Sequence, residues 1–206
     1  MTSTTPASEI TFVPLRPQDD DDAAALTDFL TAQSYPFHVR NQVNAEQVRR
    51  AIAEGNYGRN PEHYTSEEAA DTDHRAWWIL ADQAGGTRAL LGVVVLEDLT
   101  DQAPLFDLRL ADEHRGQGWG TTVLRALTRL VFDTYPEVER FEGQTREDNI
   151  AMRKVFLRSG FIKEAHYRRG WPVEGDEPVA SVAYAILRQD WESGTTTTFE
   201  WEDLKA

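Results

Sequence analysis

The chain has 206 residues, enough for one domain with a buried core, and its hydrophobic content of 40 % is ordinary for a globular protein. It has no cysteine, which excludes disulfides, thiolate metal sites and a cysteinyl intermediate. The formal net charge of −14 disfavours nucleic acid and anionic membranes as partners and favours cationic ones, and no apolar run could span a bilayer. We expect a soluble, cytoplasmic protein.

The first part of the sequence predicts one strand and two helices. Residues 1–8 lack the apolar stretch of a signal peptide, so we expect a flexible terminus. A strand is predicted over 10–15. A helix over 23–30 follows four aspartates, whose charges suit the positive end of a helix dipole. A second helix begins at Asn44, which forms a capping-box pattern with Gln47.

The middle of the sequence predicts three strands in succession. Runs rich in β-formers lie at 77–81 and 90–96, and the Gly85-Gly86 pair between them predicts a hairpin. Residues 105–110 alternate between apolar and charged side chains over their second half, which is the period of a strand.

The C-terminal half alternates between helices and strands. The predicted elements are helices over 118–135 and 149–159 and strands over 138–145, 161–169 and 179–187. This order predicts a single α/β (α+β) domain over 9–190, with a mixed, largely antiparallel central sheet flanked by helices. Residues 191–206 are interpreted as a tail or an edge strand.

The connection between the strand at 105–110 and the next helix carries the clearest functional signal. Gly116, Gly118 and Gly120 stand there within five residues. Glycines let the backbone approach a ligand closely, and the free N–H groups at a helix N-terminus bind anions. A tight turn needs only one glycine, so this segment predicts a pyrophosphate site.

Two common phosphate motifs do not fit this segment. The dinucleotide fingerprint requires a third glycine, where this chain has Thr121 or Val123, and the Walker pattern requires a Gly-Lys-Ser/Thr that is missing. The pattern that remains is Arg-x-x-Gly-x-Gly, formed by Arg115, Gly118 and Gly120.

This pattern resembles the cofactor motif of the GNAT N-acetyltransferase superfamily. The segment from Asn149 to Phe161, Asn-Ile-Ala-Met-Arg-Lys-Val-Phe-Leu-Arg-Ser-Gly-Phe, resembles the family's second motif. The opening Leu15-Arg-Pro17 and the second motif look most like the branch of ribosomal-protein N-terminal acetyltransferases. The resemblance extends over residues 10–190 and is strong over 105–161.

The resemblance implies an enzyme that passes the acetyl group of acetyl-CoA to a primary amine by direct attack in a ternary complex. The amine would be a protein N-terminus or a small molecule. In the family, two strand residues offer backbone groups to the pantetheine arm and the glycine turn holds the pyrophosphate. Arg153 either reaches a phosphate or lies on a solvated helix face. The implied cofactor-binding residues are Leu108, Leu110, Arg115, Gly116, Gln117, Gly118, Trp119, Gly120, Thr121, Asn149 and Arg153.

The proton donor of the family is missing from its usual place. Many members carry a tyrosine seven residues after the asparagine of the second motif, where this chain has Phe156, which has no proton to donate. Tyr167 and Tyr184, on neighbouring predicted strands, are the substitutes, or else they are packing residues.

The general base that accepts a proton, and the binding site for the amine that accepts the acetyl group, are assigned from predicted positions. Glu97 and Asp107 are favoured as bases over His114, although Asp107 could instead pair with Arg109, and a water relay would need neither carboxylate. The loop and late strands that bind the acceptor in this family nominate substrate-binding residues. These are Tyr35, His38 and Trp171, together with Phe37, which is favoured as packing, and Tyr167.

Other classes of function remain open at this stage. A GNAT-fold sensor that binds acyl-CoA without turnover is supported by Phe156, and turnover with a panel of amines would discriminate it from the enzyme. A nucleotide binder is disfavoured by the missing motif residues. Five scattered histidines without His-Glu-x-x-His predict no metal site. A cationic amine partner and a homodimer are expected.

Overall fold

A computed structural model describes residues 9–58, 73–82 and 87–201. The strands are β1 (Ile10–Pro14), β2 (Arg75–Asp82), β3 (Arg88–Glu97), β4 (Leu105–Leu110), β5 (Arg140–Arg146), β6 (Ile162–Trp171) and β7 (Val179–Leu187). The helices are α1 (Asp20–Ala32), α2 (Ala45–Ala53), α3 (Trp119–Thr134), α4 (Ile150–Arg158) and α5 (Arg188–Ser193), with a 3-10 turn at Asp112–His114. None of the helices in these ranges is long and apolar enough to cross a membrane.

The strands form two antiparallel sheets, in the orders β1-β2-β3-β4 and β5-β7-β6. The N–H of Arg140 donates to the C=O of Gln102 at 3.4 Å, and the N–H of Glu142 donates to the C=O of Pro104 at 3.1 Å. The donors advance from 140 to 142 while the acceptors advance from 102 to 104, so the two chain segments run parallel where β4 and β5 start. Within the described ranges their ladder extends no further, so one edge of β4 is left open.

The predicted fold class is confirmed, with one difference. The domain is mixed α/β, antiparallel in its sheets and flanked by helices, as the order of elements indicated. The central sheet, however, is divided into two between β4 and β5. The sequence gives no sign of this division, because each strand has a normal hydrophobic pattern and the break lies only in how two distant strands pair.

Two hydrophobic clusters hold the sheets to the helices. The alternation of β3 places Val94 and Leu96 in the larger cluster, with α3 and α4, and places Val93 and Val95 in the smaller cluster, with α1 and α2. All four side chains are at most 3 % exposed. Strand β3 is therefore buried on both faces, which explains its nearly continuous run of apolar residues.

The predicted helices and strands are confirmed, with their ends shifted by a few residues. Helix α1 starts at Asp20 instead of residue 23, so that the aspartates lie in its first turn. The capping box of Asn44 and Gln47 is present. Residues 1–8, the Gly85-Gly86 turn and residues 202–206 lie outside the described residues, and the domain limits of 9 and 190 stay a prediction.

The short helix α5 was not predicted, and tertiary contacts explain it. Arg188 donates hydrogen bonds to the C=O groups of Phe132, Tyr135 and Val138, near the C-terminal end of α3. The ring of Trp191 packs on Phe132 at 5.3 Å. A helix of six residues is too short to show a periodic pattern. Residues 195–200 of the tail lie in neither a helix nor a strand.

Phe156 is a core residue. It is 0 % exposed and stacks on the ring of Tyr184 at 4.8 Å, with the two planes 2° apart. A Cβ atom built on Gly143 would lie 2.7 Å from Cζ of Phe156, so the far end of the ring abuts the backbone of β5. The position therefore leaves no room for the phenolic hydroxyl that the family often carries there.

Phe156→Tyr is expected to lower the free energy of unfolding by about 1–3 kcal/mol, because its hydroxyl would be buried without a partner. Urea denaturation measures the change. Leu157→Tyr, at the neighbouring position that is 60 % exposed, is the matched control and should be close to neutral. A Phe156→Tyr variant as stable as the parent would show that the hydroxyl finds a partner.

Candidate functional site

Two cavities meet along β4. The first has a volume of about 570 Å³ and includes the glycine turn, and the second has a volume of about 500 Å³ and includes Glu97 and Trp171. Six residues line both cavities and so form their junction. They are Phe37, His38, Leu108, Arg109, Asn149 and Met152. Two ligands, one bound in each cavity, would therefore lie next to each other beside β4.

The glycine turn lines the first cavity with backbone. Gly116 and Gly118 have left-handed φ angles of 73° and 91°, and a Cβ on either would meet nothing within 4 Å. Gly118 is the N-cap residue of α3 and offers no side chain to the first turn. The N–H groups that begin α3 thus remain available to an anion, and the positive end of the helix dipole favours its binding.

Cationic side chains surround this turn. Arg115 lines the cavity, but its Nε donates to the C=O of Leu110 at 2.9 Å and its Nη1 pairs with Asp112 at 2.6 Å. Lys154 and Arg158, exposed on α4, line the same cavity. The sequence analysis missed both, although their spacing of four residues places them on one helix face.

The side chain of Arg153 faces the core side of α4. Its Nε donates to the hydroxyl of Tyr184 at 3.1 Å and its Nη1 donates to the C=O of Glu147 at 2.7 Å. It is not among the residues that line the first cavity, so neither interpretation from the sequence, a phosphate ligand or a solvated face, describes it.

The remaining residues of the implied cofactor set divide into two groups. Those on the wall of the first cavity are Leu108, Leu110, Arg115, Gly116, Gly118, Gly120, Thr121 and Asn149. The side chain of Gln117 instead donates to the C=O of Glu113, and Trp119 packs against the larger hydrophobic cluster. Both were included because they lie within the motif, and their place in the cofactor site stays a prediction.

Asn149 lies at the junction with part of its amide uncommitted. Its Oδ1 caps α4 by accepting from the N–H of Met152 at 3.2 Å, and its Nδ2 donates to Thr145 Oγ1 at 3.0 Å. An amide nitrogen carries two protons, so one N–H of Asn149 remains for a ligand.

A charged network forms the wall between the cavities. Nε and Nη2 of Arg109 donate to Asp107 Oδ2 at 2.9 and 2.8 Å, and His38 Nε2 lies 3.0 Å from Asp107 Oδ1. Burial by itself would raise the pKa of Asp107, but the Arg109 guanidinium and His38 hold that pKa well below its usual range. Asp107 therefore stays ionised and fully engaged, which makes it a poor proton acceptor.

Glu97 has the opposite environment. It ends β3, lines the second cavity, and lacks an ion pair in the described part of the chain. Burial, with the nearby charges of Asp107 and Asp98, raises the pKa of Glu97 to about 7, although Arg109 opposes the change. A carboxyl group poised near neutrality beside a cavity is suited to accept a proton.

The aromatic candidates separate by position. Tyr35 lines the first cavity and lies 4.8 Å below the Arg109 guanidinium, and burial raises its pKa to about 12. Trp171 lines the second cavity. Tyr167 is 49 % exposed and lines neither of these two cavities, because its segment of β6 faces solvent. Tyr184 is buried, with its hydroxyl bound to Arg153.

His114 lines the first cavity and lies near Glu113 at 3.5 Å. Across the ranges that the structure describes, no three His, Asp or Glu side chains are grouped as metal ligands would be.

Comparison with known families assigns the chain to a class. Residues 10–162 match the acetyltransferase (GNAT) domain, so the chain belongs to the GNAT acetyltransferase family. It is an acetyl-CoA-dependent N-acetyltransferase of this class. A search of curated proteins found no significant match.

Solved structures share the fold. A probable acetyltransferase superposes with a TM-score of 0.65 at 23 % identity, covering 88 % of this chain and 94 % of the other. Spermidine N-acetyltransferase from Vibrio cholerae, in complex with CoA and spermine, gives 0.66 at 16 % identity, covering 89 % and 98 %. A chimera of that enzyme, SpeG, with hSSAT gives 0.67 at 16 % identity, covering 90 % and 99 %. Identities this low show a common fold.

Gly118→Glu is expected to weaken acetyl-CoA binding by about tenfold or more, since it places a carboxylate where the pyrophosphate would lie. Calorimetric titration with acetyl-CoA measures the dissociation constant. Gly175→Glu is the matched control, because Gly175 also has a left-handed φ, of 77°, with nothing within 4 Å of its Cβ, and lines neither cavity. Equal affinity in both variants would contradict this placement of the cofactor.

Lys154→Met and Arg158→Met are each expected to weaken acetyl-CoA binding by about fivefold, the effect of one partly screened charge. Arg153→Met should instead lower the unfolding midpoint and leave affinity unchanged, because its partners are Tyr184 and Glu147. Titration and urea denaturation of the three variants separate the two effects. Loss of affinity in Arg153→Met alone would reverse these assignments.

Proposed function

We propose that this protein transfers the acetyl group of acetyl-CoA directly to a primary amine, with acetyl-CoA in the first cavity and the amine in the second. The observation that carries the proposal is the junction of the two cavities beside Leu108 and Asn149. Two substrates bound there would be adjacent, and direct attack requires only that both be present together.

The residues of the first cavity fit acetyl-CoA. The turn at Gly116 and Gly118 offers backbone N–H groups to a pyrophosphate, and Lys154 and Arg158 add positive charge. The open edge of β4 at Leu108 and Leu110 can pair with the amide groups of the pantetheine arm as a further strand would. When bound, acetyl-CoA supplies an activated acetyl thioester.

Glu97 is the proposed proton acceptor for the amine. Its pKa of about 7 is closer to that of an α-amine, near 8, than to that of a lysine side chain, about 10.4. Transfer of a proton from an α-amine to Glu97 is thus less costly than transfer from lysine. Asp107 is proposed as a positioning residue that orients His38 and Arg109, because its two oxygens are already engaged.

His38 is proposed as the proton donor, in place of the family's tyrosine, at the junction of the two cavities. It lines both cavities, and its Nε2 lies 3.0 Å from the ionised Asp107 Oδ1, which can accept from that nitrogen and keep the ring N–H there. On the sequence alone this role fell to Tyr167 or Tyr184. The exposure of Tyr167 outside the two cavities favours His38 instead.

The finer assignments from the sequence are also proposals. The resemblance at Leu15-Arg-Pro17 and in the second motif supports a protein N-terminus as the amine, in the manner of the ribosomal-protein branch. A small amine is the alternative. A non-catalytic acyl-CoA sensor is the second candidate, and the position of Glu97 on the second cavity with a raised pKa supports the enzyme over it. A homodimer stays a prediction.

Glu97→Gln is expected to lower kcat/KM by about a hundredfold and to remove a rise in activity through about pH 7. The direction of this pH dependence follows from the raised pKa of Glu97. Glu97 is protonated below about pH 7 and accepts a proton only above it. Both effects are measured with a panel of amines, by recording the thiol that acetylation releases from about pH 6 to about pH 9.

Glu54→Gln is the control for this experiment, since Glu54 is exposed at the end of α2 and lines neither cavity. A parental pH profile in Glu97→Gln would exclude Glu97 as the acceptor. Binding of acetyl-CoA with no turnover of any amine would favour the sensor.

A further inference from the structure

The wall of the second cavity is apolar over a large part of its extent. Val39, Val43, Leu105, Phe106 and Trp171 lie on it, from the loop after α1, from β4 and from the end of β6. An apolar group placed against such a wall is removed from water, which favours binding by about 25 cal/mol for each Å² buried. The cavity can therefore hold a substrate with an apolar body against this part of its wall.

The charges on the same wall are almost all paired. Asp107 and Arg109 neutralise each other through two hydrogen bonds. Arg40 pairs with Glu174 at 3.1 Å, so this pair brings no net charge to the cavity. Of the two carboxylates among the described lining residues, Glu97 alone lacks an ion pair. One ammonium group has an anionic partner here, and a second would face Arg40, Arg109 or the apolar wall.

We propose that the acceptor is a primary amine with a single positive charge attached to an apolar group, and not a polyamine. This inference rests on the proposed function, because it describes the second substrate of the same site. A polyamine would leave further ammonium groups without partners, and an unpaired charge out of water is costly. The spermidine N-acetyltransferases share the fold at 16 % identity, which does not carry their substrate to this chain.

Two sources could supply this chemistry. One is a free amine such as 2-phenylethylamine, and the other is a peptide whose first side chain is apolar, such as a tripeptide beginning with phenylalanine. The experiment compares kcat/KM for these two amines and for spermidine at a fixed saturating acetyl-CoA concentration. We expect at least one apolar amine to exceed spermidine by about tenfold or more, and the comparison of the two arms identifies the source.

A variant tests whether the second cavity is responsible. Val39 is 43 % exposed on its wall, and its backbone C=O accepts a hydrogen bond from Glu174 N–H. Val39→Asp adds a second unpaired carboxylate, in addition to Glu97, without breaking that bond. We expect it to reduce the preference for the apolar amine over spermidine by about tenfold. Leu90→Asp is the matched control, because Leu90 is 40 % exposed on β3 and lines neither cavity.

The outcomes separate this inference from the proposed function. A higher kcat/KM for spermidine than for both apolar amines overturns the inference and leaves an amine acetyltransferase. An equal change of preference in Val39→Asp and Leu90→Asp also overturns it, because the cavity would not determine the choice. Acetyl-CoA binding without acetylation of any of the three amines overturns the inference, and the proposed function falls with it only if the wider amine panel is not acetylated either.

Discussion

The end of strand pairing between β4 and β5 is the constraint on which the site depends. The segment just before β4 shares backbone hydrogen bonds with the start of β5, through Gln102 and Pro104, and the two strands then belong to separate sheets. The separation exposes one backbone edge of β4 and opens the junction where Leu108 and Asn149 line both cavities. If β5 paired with β4 throughout, the edge proposed to bind pantetheine would be occupied, and the two cavities would not meet.

A cluster of three phenylalanines lies where the two strands separate. Phe106 on β4 packs against Phe141 on β5 and Phe156 on α4 at the base of the divergence, with ring centroids 5.2 and 5.9 Å apart. Gly143 makes room for two of these rings, since any side chain there would collide with Phe106 and Phe156. The phenylalanine that replaces the family's common tyrosine is thus part of the support for the site, and its lost hydroxyl requires another group to handle the proton.

Two carboxylates only a short distance apart in the fold have opposite properties, and burial alone does not distinguish them. Asp107 is satisfied by Arg109 and His38, whereas Glu97 feels the charge of Asp107 without a close cation of its own. One therefore remains ionised and orients its neighbours, while the other has a pKa near neutrality. The pairing of Asp107 with Arg109 and His38 also neutralises most of the charge of the second cavity. The apolar part of its wall is therefore proposed to determine which amine binds.

The sequence by itself determined the helices other than α5, the strands, the glycine turn and the acetyltransferase family, because periodicity, capping residues and short motifs are local along the chain. The side chains of Gln117, Trp119 and Arg153 have partners outside the first cavity, and the motifs gave no sign of this because a short motif does not say which way a side chain points. Only the tertiary structure decided the division of the sheet, the contribution of Lys154 and Arg158, and the different environments of Glu97 and Asp107. Each of these depends on residues far apart in the chain that meet only after folding.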